Sequence, residues 1–165
     1  MKKYLVIGNP IEHSLSPKIH NYWIKENNIN AIYDKKKLSQ DELQNIISDV
    51  KEEKISGINV TVPFKKSVIP FLDELSPESK KTQSVNTIYL QDGKIIGHNT
   101  DIAGFELSIK FLKYDVIDKK ILILGAGGVV PSIIYSLQKM KVSKILLSNR
   151  TKEKAENLKN LFKDL

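Results

Sequence analysis

The sequence contains no cysteine, which excludes a disulfide scaffold, a cysteine nucleophile and a cysteine-ligated metal site. Long apolar runs are also missing: the stretch at 120–125 is far shorter than the roughly 20 residues that a membrane-spanning helix needs. A strand-like segment at 4–8 follows the first residues directly, without the long apolar region of a signal peptide. We therefore expect a cytoplasmic protein that has no contact with a membrane.

Arginine is nearly absent, although the net charge is +7. Arg150 is the only one, and the lysines are mixed with acidic residues, as at 152–159, a pattern typical of a solvated helix face. No basic stripe is interleaved with aromatic residues, so we do not expect a nucleic-acid partner. The three histidines, His13, His20 and His98, show no ligand spacing with acidic residues, so we expect no metal site.

Apolar segments of strand and helix type alternate along the chain, which is typical of an α/β fold with a mainly parallel sheet. The predicted strands are 4–8, 31–33, 57–62, 85–90, 94–97, 120–125 and 144–148. The predicted helices are 16–24, 43–50, 102–112, 129–140 and 151–165. Ser39 and Glu42 form a capping-box pattern before the second helix, and Ser16 followed by Pro17 is typical of a helix N-terminus.

The pattern restarts after residue 118, which predicts two units. We expect an N-terminal α/β domain at 1–101, a connecting helix and linker at 102–118, and a Rossmann-like nucleotide-binding unit at 119–165. With only two strands, that second unit leaves the apolar faces of 121–124 and 145–147 poorly covered. We therefore expect it to be a truncated form of the complete nucleotide-binding fold.

A glycine-rich turn joins a buried strand to a helix in this second unit. It comprises Gly125, Ala126, Gly127, Gly128 and Val129. Glycines permit a tight turn and close backbone approach, and a helix N-terminus offers free N–H groups to a pyrophosphate. The third glycine of the usual fingerprint is replaced by Val130, yet the strand–turn–helix context favours nucleotide binding over a plain tight turn.

The end of the following strand distinguishes between the two nicotinamide cofactors. Sites specific for NAD carry an acidic residue there, whereas this strand is followed by Asn149, Arg150 and Thr151. A guanidinium suits a ribose 2′-phosphate by charge and by bidentate hydrogen bonding, and Lys152 and Lys154 add positive charge. NADP is therefore favoured, and the alternative is a helix cap at Thr151 beside a surface arginine.

Polar residues in the N-terminal unit are ambiguous when each is taken alone. Taken alone, Ser16 is better explained as a helix cap and Ser14 as a loop residue. Asp101 fits an N-cap, and Asn86 and Thr87 fit backbone hydrogen bonding in a turn. No single one of these residues predicts a substrate site.

In combination, seven blocks of the chain resemble shikimate dehydrogenases in order and spacing. They are Gly8-Asn-Pro, Ser14-Leu-Ser-Pro17, Asn59-Val-Thr-Val-Pro-Phe-Lys65, Val85-Asn-Thr87, Asn99-Thr-Asp101, Gly125-Ala-Gly-Gly128 and Asn149-Arg-Thr151. The resemblance runs from residue 4 to the end and implies reversible, NADPH-dependent reduction of 3-dehydroshikimate to shikimate. That reaction belongs to chorismate and aromatic amino acid biosynthesis.

The resemblance also implies a role for each polar residue. Lys65 would be the catalytic proton donor and acceptor, and Asp101 would pair with it. The substrate shikimate would be bound by Ser14, Ser16, Thr61, Lys65, Asn86 and Asp101, with the two serines on its carboxylate. A cationic lysine suits this chemistry because hydride reduction of a ketone places charge on the oxygen. Lys66, the next residue along an expected helix, should point away, and Asn59 should support the end of its strand.

Members of that family are longer than this chain, so we expect the 165 residues alone to be weakly active or inactive. Three alternatives remain open: an enzyme that also oxidises quinate, a ligand-binding fragment without turnover, and a basic nucleic-acid-binding domain. The sequence is compatible with a monomer or a homodimer.

Overall fold

The computed structural model describes residues 1–162. Its strands are β1 (Lys2–Gly8), β2 (Ala31–Lys37), β3 (Gly57–Val60), β4 (Glu74–Leu75), β5 (Thr87–Gln91), β6 (Lys94–His98), β7 (Lys120–Leu124) and β8 (Lys144–Ser148). Its helices are α1 (Ser16–Glu26), α2 (Leu43–Lys51), α3 (Pro77–Thr82), α4 (Asp101–Phe111), α5 (Val130–Lys139) and α6 (Lys152–Leu161). The predicted α/β class is confirmed.

The N-terminal unit is built on a six-stranded sheet with the order β2-β1-β3-β5-β6-β4. β1 runs parallel to both β2 and β3, and β4 runs parallel to β6. β5 is antiparallel to both of its neighbours, β3 and β6, and a tight hairpin turn joins it to β6. The parallel part of the sheet therefore contains β1 and β3, whose carboxyl ends lie side by side.

The alternation of side chains along β3 separates the core from a polar row. Ile58 and Val60 are buried in the main core, which lies between the sheet and α2. Asn59 points to the opposite face, where Val6 and Tyr33 form a smaller cluster on the side of α1. An asparagine within this strand therefore does not interrupt the main core.

Several predicted boundaries differ from those of the structure. β3 ends at Val60, because Val62 is 55% exposed and residues 62–68 form turns rather than the expected helix. α1 has Leu15 at its N-cap position, so Ser16 is not the cap. The helix α3 was not predicted, although Ser76 accepts a hydrogen bond from the Ser79 amide and Pro77 follows it, both ordinary signals of a helix start.

The second unit has a parallel pair of strands, β7 and β8, packed on one face against α5 and α6. Apolar side chains on the other face are exposed, among them Leu122, Leu146 and Leu124, the last at 78%. The prediction that this small sheet is poorly covered is confirmed. Among the helices of residues 1–162, none has the length and hydrophobicity required to cross a membrane.

We expect a Gly8→Ala substitution at the end of β1 to destabilise the N-terminal unit. A Cβ at this position would lie 2.6 Å from Thr61 Cγ2 and 3.0 Å from the Val62 carbonyl oxygen. Overpacking of this kind costs about 1–3 kcal/mol. The free energy of unfolding in urea measures the effect.

Gly104→Ala is the matched control, since a Cβ there meets nothing within 4 Å on the exposed side of α4. It should stabilise the protein by roughly 0.5–1 kcal/mol, because alanine has the higher helix propensity. Equal effects of the two substitutions would contradict the close approach at Gly8.

Candidate active site

An ion pair between Lys65 and Asp101 lies at the centre of the candidate site. Its Nζ–Oδ2 distance is 2.6 Å, and the two side chains are only 12% and 21% exposed. Lys65 lies in the turn that follows β3, and Asp101 is the first residue of α4. A charge-assisted hydrogen bond shielded in this way holds the lysine in one orientation.

Asn86 extends the pair on the side of Asp101. Its Nδ2 donates to Asp101 Oδ1 at 2.9 Å and to Thr100 Oγ1 at 2.8 Å. Its Oδ1 accepts from the backbone N–H of Thr100, also at 2.9 Å. The structure thus brings together three of the predicted site residues. The alternative that Asp101 is only a helix cap is wrong, because Thr100 occupies the N-cap position.

Asn99 was not among the predicted site residues, yet it ties the site to the second unit. The side chain is 2% exposed, and its Oδ1 accepts from the Asp101 N–H at 3.0 Å. Its Nδ2 donates to the Ser84 carbonyl at 2.8 Å and to Ser132 Oγ of α5 at 2.9 Å. Its position two residues before Asp101 was the available signal, but a loop asparagine is usually explained by a turn.

Ser14, Ser16 and Thr61 form a second polar group. They line a pocket of about 240 Å³ together with His13 and Ile11, among other residues. Thr61 directly follows β3, and its carbonyl accepts from the Phe64 N–H at the start of the turn that carries Lys65. The predicted substrate-binding residues therefore fall into two groups joined by the 61–65 turn. Lys66 is exposed, as predicted.

The loop with the two serines is attached to β2 by Glu12. Glu12 Oε1 lies 3.0 Å from Lys37 Nζ, and Glu12 Oε2 accepts from the Ile11 N–H at 3.0 Å. Hydrogen bonds from backbone N–H groups, its own first, and from Lys37 lower the pKa of Glu12 to about 2. Its carboxylate is therefore ionised over the whole physiological range.

The glycine-rich turn lies against the lysine of the ion pair. Gly125 has φ +113°, and its N–H donates to the Ser148 carbonyl at 2.8 Å. Gly128 accepts from Ser84 Oγ at 3.2 Å, and a Cβ on Gly128 would lie 3.9 Å from Lys65 Cδ. The turn therefore connects the second unit with the residues of the ion pair. The helix begins at Val130, so Val129 is its N-cap and not its first residue.

The turn at residues 149–151 leaves the sheet at the same edge as the glycine-rich turn, because Leu124 pairs with Ser148. Asn149 Nδ2 donates to the Thr151 carbonyl at 2.7 Å, and Arg150 is exposed beside it. Thr151 is the N-cap of α6, but its side chain makes no capping hydrogen bond. Lys152 lies 3.7 Å from Glu156, and Lys154 is exposed.

No cluster of potential metal ligands occurs within residues 1–162.

Comparison with known proteins agrees with this geometry. Residues 6–88 match the family described as shikimate dehydrogenase substrate binding domain. Residues 106–165 match the family described as shikimate / quinate 5-dehydrogenase.

The chain belongs to the shikimate dehydrogenase family.

Individual relatives match nearly the whole of this chain. Shikimate dehydrogenase (NADP(+)) of Pelagibacter ubique is 59% identical over 99% of this chain. The crystal structure of shikimate dehydrogenase from Aquifex aeolicus matches with a TM-score of 0.92 and 44% identity over 99% of this chain. Shikimate 5-dehydrogenase from Thermus thermophilus, solved in complex with NADP(H) and shikimate, matches with a TM-score of 0.88 and 28% identity over 99% of this chain.

This chain is shorter than those relatives. It spans 62% of the Pelagibacter enzyme, 61% of the Aquifex structure and 61% of the Thermus structure.

We expect a Glu12→Gln substitution to destabilise the protein at neutral pH and to lose its effect in acid. A carboxylate with a lowered pKa contributes stability above its unfolded value of 4.5, and this contribution is lost as the pH falls toward about 2. The difference in Tm between wild type and variant should therefore narrow from pH 6 to pH 3. Glu153→Gln, on exposed α6, is the control, and a difference that stays constant with pH would contradict the role of Glu12.

Proposed function

We propose that this protein catalyses the reversible NADPH-dependent reduction of 3-dehydroshikimate to shikimate. The observation that carries the proposal is the shielded Lys65–Asp101 pair, which lies between the substrate-side residues and the glycine-rich turn at Gly128. The names of the relatives and their bound molecules support the same reaction. This activity would serve chorismate and aromatic amino acid biosynthesis.

Lys65 is the proposed catalytic residue. In the reducing direction its ammonium group donates a proton to the ketone oxygen, on which negative charge develops. In the oxidising direction its neutral amine accepts the proton of the hydroxyl group. Asp101 keeps the Nζ atom aimed at the reacting oxygen, and the low exposure of both side chains limits competition from water.

The remaining polar residues would bind the substrate at both of its ends. The hydroxyls of Ser14 and Ser16 would donate to the carboxylate, since they line the same pocket as Thr61. Thr61 would hydrogen-bond the substrate next to the lysine turn. Asn86 and Asp101 would bind ring hydroxyls, which both donate and accept hydrogen bonds.

NADP fits the residues at the edge of the second sheet. A Cβ built on Gly127 would have no neighbouring atom within 4 Å, so the backbone at this residue is accessible to a pyrophosphate. The pyrophosphate would be held by Gly125, Ala126, Gly127, Gly128 and Val129, and the 2′-phosphate by Asn149, Arg150, Thr151, Lys152 and Lys154. When bound, NADP supplies the hydride acceptor or, in reduced form, the hydride donor.

The organisation of the protein is part of the same proposal. We assign residues 1–101 to the substrate-binding domain, 102–118 to the connection and 119–165 to part of the NADP-binding domain. The protein would act in the cytoplasm as a monomer or a homodimer. Analytical ultracentrifugation measures which of these two oligomeric states it adopts. Quinate is the second candidate substrate, because the family matched by residues 106–165 is described by both substrates.

We expect Lys65→Ala to reduce kcat for NADP⁺-dependent oxidation of shikimate by about 10²–10⁴-fold, the usual contribution of a general acid–base group. Lys66→Ala is the matched control, since this neighbouring lysine is exposed. Absorbance of the reduced nicotinamide follows turnover, with quinate assayed in parallel. Undiminished turnover in Lys65→Ala would contradict the assignment, and shikimate binding without turnover in the wild type would indicate a ligand-binding fragment.

We expect Arg150→Gln to weaken NADP⁺ binding by roughly 10-fold or more and to leave NAD⁺ binding nearly unchanged. The substitution removes a charge-assisted contact that only the 2′-phosphate can make. Isothermal titration with each dinucleotide measures the ratio. Lys159→Gln, which removes the same charge farther along exposed α6, should leave the ratio unaltered. A parallel loss of affinity for both dinucleotides would contradict specific recognition of the phosphate.

A further inference from the structure

A chain of side-chain hydrogen bonds leads from Tyr33 on β2 to Asp101 at the candidate active site. We call it the Tyr33–Asp101 chain; its members are Tyr33, Asn59, Thr87, Asn86 and Asp101. The Tyr33 hydroxyl donates to Asn59 Oδ1 at 2.7 Å, across the intervening strand β1. Asn59 Nδ2 donates to Thr87 Oγ1 at 3.2 Å.

The chain then turns toward the ion pair. The Thr87 hydroxyl donates to Asn86 Oδ1 at 3.0 Å. Asn86 Nδ2 donates to Asp101 Oδ1 at 2.9 Å, and the other carboxylate oxygen accepts from Lys65 Nζ. Tyr33 only donates, the three middle members each accept from one neighbour and donate to the next, and the terminal carboxylate only accepts.

The direction of each hydrogen bond, from donor to acceptor, is set by neighbouring groups that can only donate or only accept. Asn59 Nδ2 also lies 3.2 Å from the Asn86 backbone carbonyl, which only accepts, so this amide must present its NH₂ group there and its oxygen to Tyr33. Thr87 Oγ1 accepts from that NH₂ group, which leaves its own proton for Asn86. Asp101, paired with Lys65, only accepts.

Tyr33 is itself held firmly at the start of the chain. Its side chain is 5% exposed, and the Asn21 side chain bonds both its backbone N–H at 2.9 Å and its carbonyl at 2.7 Å. The ring of His20 stacks on it at 4.1 Å. Burial raises the pKa of Tyr33 to about 12, so the phenol stays protonated and can act as a hydrogen-bond donor.

We propose that Tyr33 is a positioning residue, whose hydroxyl helps to hold the Asn59 amide and, through Thr87, reinforces the orientation of Asn86 toward Asp101 and the substrate, which the Thr100 N–H also supports. This inference rests on the proposed function, because Asn86 matters in this way only if it binds shikimate. Removal of the hydroxyl leaves Asn59 Oδ1 without its donor, so that the amide is held only through Nδ2, by the two 3.2 Å contacts with the Asn86 carbonyl and Thr87 Oγ1, and the link to Asn86 becomes looser.

The experiment compares Tyr33→Phe with the wild type by shikimate titration calorimetry and by NMR of the ¹⁵N-labelled side-chain amides. Phenylalanine keeps the ring and its stacking on His20. We expect the variant to bind shikimate with an affinity about 5- to 10-fold lower than that of the wild type. A change of this size corresponds to the free energy of one hydrogen bond. The side-chain NH₂ resonances of Asn86, three hydrogen bonds away from the substitution, should shift in the absence of ligand.

Two control variants separate positioning from a general loss of stability. Tyr4→Phe removes a tyrosine hydroxyl from the same cluster; within residues 1–162 that hydroxyl has no hydrogen-bond partner. Val50→Ala destabilises the main core on the other side of the sheet. Neither should change the affinity for shikimate or the Asn86 resonances.

The outcomes distinguish this inference from the proposed function. If Tyr33→Phe lowers only Tm, with affinity within twofold and unshifted Asn86 resonances, the inference is overturned while shikimate binding stands. If the wild type binds no shikimate, the proposed function fails, and the Asn86 resonances still decide whether the chain transmits the substitution: a shift supports the coupling, and unchanged resonances overturn it.

Discussion

The 2.6 Å ion pair between Lys65 and Asp101 is the interaction on which the rest of the site depends. It joins the turn after β3 to the first residue of α4, and these two elements belong to different parts of the chain. The pair is shielded but not fully buried, so it keeps a charge-assisted bond without the large desolvation cost of a deep ion pair. The ammonium group therefore remains accessible to an oxygen atom of the proposed substrate.

Neutral amides complete the surroundings of this pair. Asn86 holds one oxygen of Asp101, while the buried Asn99 binds the Asp101 backbone and reaches Ser132 on α5. Asn99 thus connects the carboxylate to the unit that carries the glycine-rich turn. A buried amide of this kind has its donors and acceptor satisfied only in one arrangement, which is why it specifies the relative position of the elements it joins.

The core and the polar row are separated because successive side chains of a strand point to opposite faces of the sheet. Along β3, Ile58 and Val60 fill the core against α2, and Asn59 faces the layer of α1. The asparagine is satisfied there by Tyr33 and by β5, so that the strand is stable with a polar residue in it. The same geometry leads the carboxyl end of β3 to Thr61 and then to the turn with Lys65.

Local pattern was enough to predict the α/β class, most strands and helices, the glycine-rich turn and the family resemblance, because periodicity, caps and short motifs are written in consecutive residues. It did not predict where β3 ends, the helix α3, or the long-range contacts of Asn99 and Tyr33. These depend on partners that lie far apart in the chain: Asn99 on Ser132, and Tyr33 on Asn59. Which polar side chains meet, and in which donor sense, was decided only when the tertiary structure brought the strand ends together.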